Sequence, residues 1–505
     1  MNILLFSMPD SFEHTATVAM RMPNGALASL AGNVDRHHRV AVADLILVQR
    51  RVRETVERLV RETAPDVVGL SVMTFQRHTA RKIAALVRAL RPSARIVVGG
   101  YDPSLATHVY ENPPWDVDAI VRGEGDITFR ELVRRYEAGE EPRDVAGLSY
   151  RVRSGFVRTP ARAVSTLAGE EVQLPNRSTR VLQGYTFLGR PIDVVETSRG
   201  CTYDCSFCSI IEMRGRNFHV WTMDRVIEDI VDARRRGARA IFIVDDNITL
   251  NVKRFHALCD AITDARLNDI DYIVQAMTSS IAAAGDSLAA AMRTAGFRYV
   301  FLGIENILDE DLQFLKASAK NAIREGGRRT GSATLHAVDV LHRHGMYVVG
   351  GLIVGNPNDT RESIEANLAF ARRHVDWPYI QHPTPYPGTP MTQDFIERRL
   401  IVNDRVEEYD GTTAVVRSEH LTAEEIEFLR WRAERWMKLR HFWPTFAHNP
   451  AFVLRHGPAM LAHTFRGSSI RSLFGWESER RAFMRYRAMR QAERDYLPDF
   501  EFHYA

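Results

Sequence analysis

Twice along this chain, short apolar runs alternate with amphipathic helical stretches, and that alternation calls for parallel α/β layers, because parallel strands can be joined only by a crossover. In the first block the apolar runs fall at 2–6, 39–43, 67–72, 95–99 and 118–121. Between the third and fourth, Ile83, Leu86, Val87 and Leu90 recur at helical spacing and give one buried stripe. Five such strands predict a doubly wound, Rossmann-like domain over residues 1–150, with ligands bound beyond the C-terminal strand ends. The loops at those ends are Ser7-Met8-Pro9-Asp10, Ser71-Val72-Met73-Thr74, Gly99-Gly100-Tyr101-Asp102 and Arg122-Gly123-Glu124-Gly125-Asp126. Glycines there admit close backbone approach to a ligand; they also make ordinary turns.

Residues 151–185 lose this period, carry Pro160 and Pro175, and read as a linker. A second block starts at Ile192-Asp193-Val194-Val195-Glu196 and continues with runs near 239–244, 271–276, 298–303, 347–354 and 379–382. The stripes Val226, Ile227, Ile230, Val231 and Ile364, Leu368, Ala371, Val375 mark two of the helices between them. Six repeats over residues 186–395 predict a partial (β/α)6 barrel with its working loops at the C-terminal strand ends. Residues 396–505 turn mainly helical and hold Trp431, Trp436, Trp443 and Trp476, with Pro444, Pro450 and Pro458 expected to break them into short pieces.

A length of 505 residues accommodates these three domains. The 66 basic and 63 acidic residues nearly cancel, so no nucleic-acid partner is expected. No apolar run approaches 18 residues, and the first residues lack a basic leader and a cleavage site, so a cytoplasmic location is expected.

Only four cysteines occur, and three cluster in Thr197-Ser198-Arg199-Gly200-Cys201-Thr202-Tyr203-Asp204-Cys205-Ser206-Phe207-Cys208. A disulfide scaffold would spread them, whereas a metal site gathers them. Three thiolates in a C-x3-C-x2-C loop can hold three irons of a four-iron, four-sulfur cluster and leave the fourth open to substrate. Zinc is the structural alternative; it would want a fourth ligand, and the nearest histidine, His219, lies eleven residues on. Cys259, in a helical context, reads as a buried structural thiol.

With Phe207 just before its last cysteine, this loop strongly resembles the signature of the radical S-adenosylmethionine (SAM) superfamily. The resemblance implies a cluster on Cys201, Cys205 and Cys208 whose open iron chelates the amino and carboxylate groups of SAM. An electron from an external donor such as flavodoxin or ferredoxin then cleaves SAM to methionine and a 5′-deoxyadenosyl radical, chemistry the cofactors carry. The same resemblance assigns Asp245 and Asp246 to the SAM amino group, Glu305 to the ribose and the Ile353 to Gly355 stretch to the adenine. A carboxylate suits a ribose diol because it accepts two hydrogen bonds. The two aspartates also read as a solvated turn or a helix cap.

An α/β domain ahead of such a barrel resembles the cobalamin-binding class of the superfamily, on Val68-Gly69-Leu70-Ser71-Val72-Met73-Thr74, Val97-Val98-Gly99-Gly100 and Val121-Arg122-Gly123-Glu124-Gly125. The resemblance implies cobalamin contacts from Ser71, Met73, Thr74, Gly99, Gly100, Tyr101, Gly123 and Glu124. With Thr384-Pro385-Tyr386-Pro387-Gly388-Thr389-Pro390 it covers about residues 1–395. One departure is the D-x-H-x-x-G loop that supplies an axial histidine in some relatives; Pro9-Asp10-Ser11-Phe12-Glu13-His14 does not fit it, so His14 reads as a surface or substrate-side residue.

The implied reaction is methylation of an unactivated carbon: one SAM methylates cobalamin, a second makes the radical, and the substrate radical captures the methyl group. Oxidative cyclisation, isomerisation or coupling, with or without cobalamin, and a non-catalytic iron–sulfur protein are the alternatives. Tyr386 stands as a catalytic candidate and Gln381 and His382 as substrate-side ones, with loop packing an equal reading. The substrate is a small molecule or a lipid. Trp436, Phe442, Trp443, Phe446, Phe452 and Phe465, interleaved with Arg440, Arg455 and Arg466, raise peripheral membrane contact, although such stretches also pack on neighbouring domains.

Overall fold

The computed structural model describes residues 1–12, 19–167, 169, 171–325, 328–440, 442–448, 450–466, 472, 474–498 and 500. Five parallel strands of the first sheet lie in the order Arg39–Asp44, Asn2–Ser7, Val67–Ser71, Arg95–Gly99, Ala119–Val121. In chain order this is 2-1-3-4-5, so the topological switch falls between the first and third strands, where Ser7 pairs with both Asp44 and Ser71. Helices Val52–Thr63 and Arg77–Leu90 cover one face, through Val56, Leu59, Ile83 and Val87. Gly25–Asn33 and Gly125–Glu137 cover the other, through Leu27, Phe129 and Leu132.

The boundary expected at residue 150 falls inside an antiparallel hairpin, Leu148–Val152 and Gly155–Arg158, that completes this sheet on the Ala119–Val121 edge. Alternation places Leu148 and Tyr150 in the core while Arg151 faces out, which earns the strand its place. Nor is the expected linker loose. Arg177, 4% exposed, donates to Asp229 (2.5 Å) and to the Val194 carbonyl (2.9 Å), and Arg180 grips both oxygens of Asp193 (2.8 and 3.0 Å). These charge-assisted bonds clamp the connection onto the first barrel strand and its helix.

The second sheet runs Arg190–Val195, Ala240–Ile243, Asp271–Met277, Phe297–Glu305, Tyr347–Ile353, Trp377–Gln381, all parallel and in chain order, as a curled partial barrel. Its first-strand edge is blunted by two short antiparallel strands, Thr186–Phe187 and then Met20–Arg21, the latter lent by the first domain.

Helices Ala423–Arg440, Phe442–His448, Pro450–Thr464 and Glu479–Glu493 make up the C-terminal region. Phe428, Trp431, Phe483 and Tyr486 form its small core, and the Lys82 ammonium holds Asp495 at 2.8 Å, tying the region back to the first domain. Pro458 lies inside its helix rather than ending it. The bond it forfeits belongs to the carbonyl four residues earlier, at Leu454, an exposed residue. Among the described residues no helix is long and apolar enough to cross a membrane.

Candidate active site

The cysteine loop leaves the first barrel strand through a two-residue ladder in which Ser198 and Arg199 pair with Val220 and His219. Gly200 holds φ +90°, and a Cβ there would strike the Asn217 carbonyl, so glycine is required. Its N–H donates to Asp246 Oδ2 at 2.7 Å. Further on, Ser206 donates from its N–H to the Leu315 carbonyl (3.0 Å) and from its hydroxyl to that of Phe314 (2.9 Å). Cys201 and Cys205 are buried and Cys208 half-buried; burial pushes the Cys208 thiol up to about 12 and the Cys205 thiol up as well. Iron binding would offset that cost by taking thiolates. Among the described residues the three cysteine sulfurs do not all lie within 4.8 Å of one another.

A cavity of about 590 Å³ opens between this loop and the barrel strands. Cys201, Cys205, Cys208, Phe207, Asp246, Glu305 and Ile353 line it; Asp245 and Gly355 do not. Asp245 instead turns back beneath the loop, accepting from the Thr197 N–H (2.6 Å) and hydroxyl (2.5 Å) and the Ser198 hydroxyl (2.6 Å), which makes it a support rather than a SAM contact. Gly355 holds φ +100° against Ile426 of the C-terminal helix, where a side chain would collide. Tyr386 is also outside the cavity. Its hydroxyl donates to the Tyr409 carbonyl (3.1 Å), and its ring packs with a cluster that includes Met391 and Phe395 and reaches the cavity-lining Phe207 and Ile353, so it stands behind the cavity wall rather than in it. Gln381 does line the cavity, whereas His382 is buried between the Val354 carbonyl (3.0 Å) and Arg430 Nε (3.1 Å).

Sequence reasoning missed Lys320, which lines the cavity with Nζ 3.0 Å from Glu305 Oε1 and 5.7 Å from the centre of the Phe207 ring. Burial alone would lower its pKa, but the Glu305 carboxylate outweighs it and holds the ammonium charged, and a Cys205 thiolate would add to that hold. Lys320 sits on the short helix Ser318–Asn321, which carries no periodic signal. Glu305 itself holds φ +61° at a bulge in the fourth barrel strand, a left-handed conformation rare outside glycine.

A second cavity, about 480 Å³, lies at the switch point of the first sheet. Ser71, Met73, Gly99, Gly100, Tyr101, Gly123 and Glu124 form its first-domain wall; Thr74 is buried at the start of the turn Thr74–Gln76 and stays outside it. His14 lies outside the described residues. The barrel supplies the facing wall, with Glu196, Arg199, Arg214 and Trp221. Enclosure pushes the Glu196 carboxyl up to about 7 despite Arg199 beside it. Two observations fit a large polar ligand here. Gly123, at φ +81°, has open space where a Cβ would stand. Arg214, whose side chain is 4% exposed, lies 2.6 Å from Glu124 yet finds no hydrogen-bonding partner for any guanidinium nitrogen. Asp246 borders both cavities.

A doubly wound domain with a pocket at its switch point, set against a partial barrel carrying a three-cysteine loop, is the architecture of an enzyme that pairs a cluster with a second large cofactor. Residues 195–371 match the Radical SAM superfamily model and residues 14–133 the B12 binding domain model. The chain thus belongs to the cobalamin-binding group of radical SAM enzymes. It is 28% identical over 435 residues to the uncharacterized methyltransferase PH0819 of Pyrococcus horikoshii, covering 86% of this chain and 91% of that protein. The anaerobic magnesium-protoporphyrin IX monomethyl ester cyclase of Cereibacter sphaeroides is 25% identical, over 84% of this chain and 68% of its own. The cobalamin-dependent SAM radical enzyme OxsB, solved with aqua-cobalamin and SAM bound, shares the fold at a TM-score of 0.64 and 17% identity, over 97% of this chain and 71% of that one.

Proposed function

We propose that this protein is a cobalamin-dependent radical SAM C-methyltransferase acting on an unactivated carbon of a small-molecule substrate. The observation that carries the proposal is the shared wall at Asp246, which brings the cluster cavity and the first-domain cavity to one seam. When bound, the cofactors supply a carbon radical on one side of that seam and a transferable methyl group on the other. Cys201, Cys205 and Cys208 would hold the cluster; Asp246, Glu305 and Lys320 would orient SAM by charge; Glu124, Arg214 and the glycine loops would cradle the corrin. The barrel's aromatic lining, including Phe301 and Tyr379, would keep water from the radical. A small external one-electron donor, flavodoxin or ferredoxin, completes the requirement.

Anaerobic reconstitution with iron, sulfide and hydroxocobalamin tests this. About four irons and one cobalt per chain are expected, with both 5′-deoxyadenosine and S-adenosylhomocysteine formed from SAM under reduction. The cyclase relative favours a second reading, oxidative cyclisation on the same cofactors, and 5′-deoxyadenosine without S-adenosylhomocysteine would select it. Iron without cobalt would retire the methylase, and no cluster would overturn both.

A further inference from the structure

The barrel cavity does not end at the cluster. It runs down past Phe242, Tyr299, Tyr347 and Trp377 to the C-terminal helices, where Lys438, Met460 and His463 close it. Most of its lining is apolar, with Glu305 and Lys320 at the cluster end, Lys438, Thr445 and His463 at the other and Gln275 between.

The helix Pro450–Thr464 that supplies Met460 and His463 shows an unusual outer side. Leu454, Pro458, Leu461 and Ala462 are all exposed there, with Arg455 their charged neighbour. Among the described residues twelve large hydrophobic side chains are exposed, and seven of them lie between Trp436 and Met484. Trp443 (69%), Phe474 (64%) and Trp476 (76%) stand among these. Seven of twelve exposed large apolar side chains in one stretch of the chain, with Phe474 and Trp476 in ring contact at 5.6 Å, are the feature an interaction surface would show.

Charge identifies the partner. From Arg435 to Trp476 there is no aspartate or glutamate, although the chain's 63 acidic residues in 505 predict about five in a stretch of that length, while six arginines and lysines occur, Arg440 and Arg455 exposed. A segment that exposes tryptophan, phenylalanine and leucine, carries Arg440 and Arg455 outward and has no acidic residue of its own, its neighbour Glu493 being paired with Arg466 at 2.9 Å, fits the interface of an anionic bilayer.

We propose that the exposed apolar and basic side chains of Trp436, Arg440, Trp443, Leu454, Arg455 and Leu461 dock this protein on an anionic membrane surface and admit from it an elongated, largely hydrocarbon lipid, which enters the barrel past the Pro450–Thr464 helix and offers an unactivated carbon to the radical. The placement of that carbon at the cluster rests on the radical SAM reading above; docking and lipid entry do not.

Two measurements on the full chain separate these parts. Sedimentation with vesicles of equal phosphatidylglycerol and phosphatidylcholine is expected to retain most of the protein, with little retained by phosphatidylcholine alone. A variant carrying Leu454→Glu and Leu461→Glu, both outward, should lose binding at least tenfold while keeping its thermal midpoint and iron content; Leu335→Glu, exposed on a barrel helix, should bind as wild type. Wild type that ignores both vesicles, or a double variant that binds normally, overturns docking. So does a dimer that the double variant dissolves in the absence of vesicle binding, which assigns the face to a second copy. For entry, the fluorescence of parinaric acid, an eighteen-carbon polyene, should rise on binding and fall severalfold in Met460→Trp, which fills the cavity end without touching the docking face. Equal binding by wild type and Met460→Trp overturns lipid entry. Failure here with an intact cluster leaves the radical assignment standing; an absent cluster sinks that assignment and leaves these readouts interpretable.

Discussion

Lys320 Nζ donates to Glu305 Oε1 at 3.0 Å inside the cluster cavity, joining a cation on a short helix to a carboxylate held at φ +61° on the fourth barrel strand. Both side chains are mostly buried, so removing the cation strands a charge, a loss of ~3–5 kcal/mol for a buried pair. Lys320→Met is expected to lower the thermal midpoint and weaken SAM binding more than tenfold by equilibrium dialysis. Adding Glu305→Gln should restore stability but not SAM affinity. Unchanged affinity in Lys320→Met would remove the pair from the SAM site.

Asp245 supports the cluster loop through three short hydrogen bonds to Thr197 and Ser198. Asp245→Ala leaves a buried amide and two hydroxyls unsatisfied, ~1–3 kcal/mol each. Reconstituted iron should therefore drop well below the wild-type level although every cysteine remains, approaching the loss expected of Cys201→Ala. Asp245→Asn keeps an acceptor and should fall between. Full iron loading of Asp245→Ala would show that the loop stands without it.

The guanidinium of Arg214 lines the first-domain cavity, ion-paired with Glu124 at 2.6 Å but making no aligned hydrogen bond. Bonds from a charged donor to a corrin's amide side chains are worth ~1.5–3 kcal/mol. Arg214→Met is expected to weaken hydroxocobalamin binding roughly 10- to 100-fold in a spectrophotometric titration, with iron content unchanged. Wild-type affinity in this variant would place the corrin elsewhere.

Asp410 is buried, which raises its pKa, but Arg490 (2.5 Å) and Arg494 (2.6 Å) outweigh that and hold its carboxyl well below the ordinary carboxylate range. A carboxyl depressed in the folded state binds its proton more readily when unfolded. Its stabilisation is therefore complete above the unfolded value near 4 and is lost as pH falls below it. Melting between pH 6 and pH 2.5 should show a steeper acid loss in wild type than in Asp410→Asn, and equal slopes would show that the pair contributes nothing to docking the last helix.

The strands and the cysteine loop were legible in the linear order of residues because each is a local pattern. Period-two and near-four hydrophobic repeats decide strand and helix within a dozen residues, and three cysteines within eight positions must share a site whatever surrounds them. The glycine loops of the first domain were legible for the same reason, since a strand end names its own loop. The edge hairpin at Leu148–Arg158 escaped because a short strand shows its period only once its partner is known. Which of two adjacent aspartates faces the cavity was undecidable, since neighbours on an extended chain point opposite ways and the path of the loop chooses; tertiary structure sent Asp245 beneath the cluster loop and Asp246 to the seam. Tyr386 looked placed for catalysis on the strand-end rule, yet packing turned its hydroxyl to Tyr409. Lys320 and Arg214 had no sequence signal at all, because what makes each of them matter is a carboxylate, Glu305 or Glu124, that the fold delivers from another element into the same low-dielectric cavity. Local pattern thus determined the layers and the cluster ligands; the choice of side chains around the cofactor cavities belonged to long-range packing, which no local period encodes.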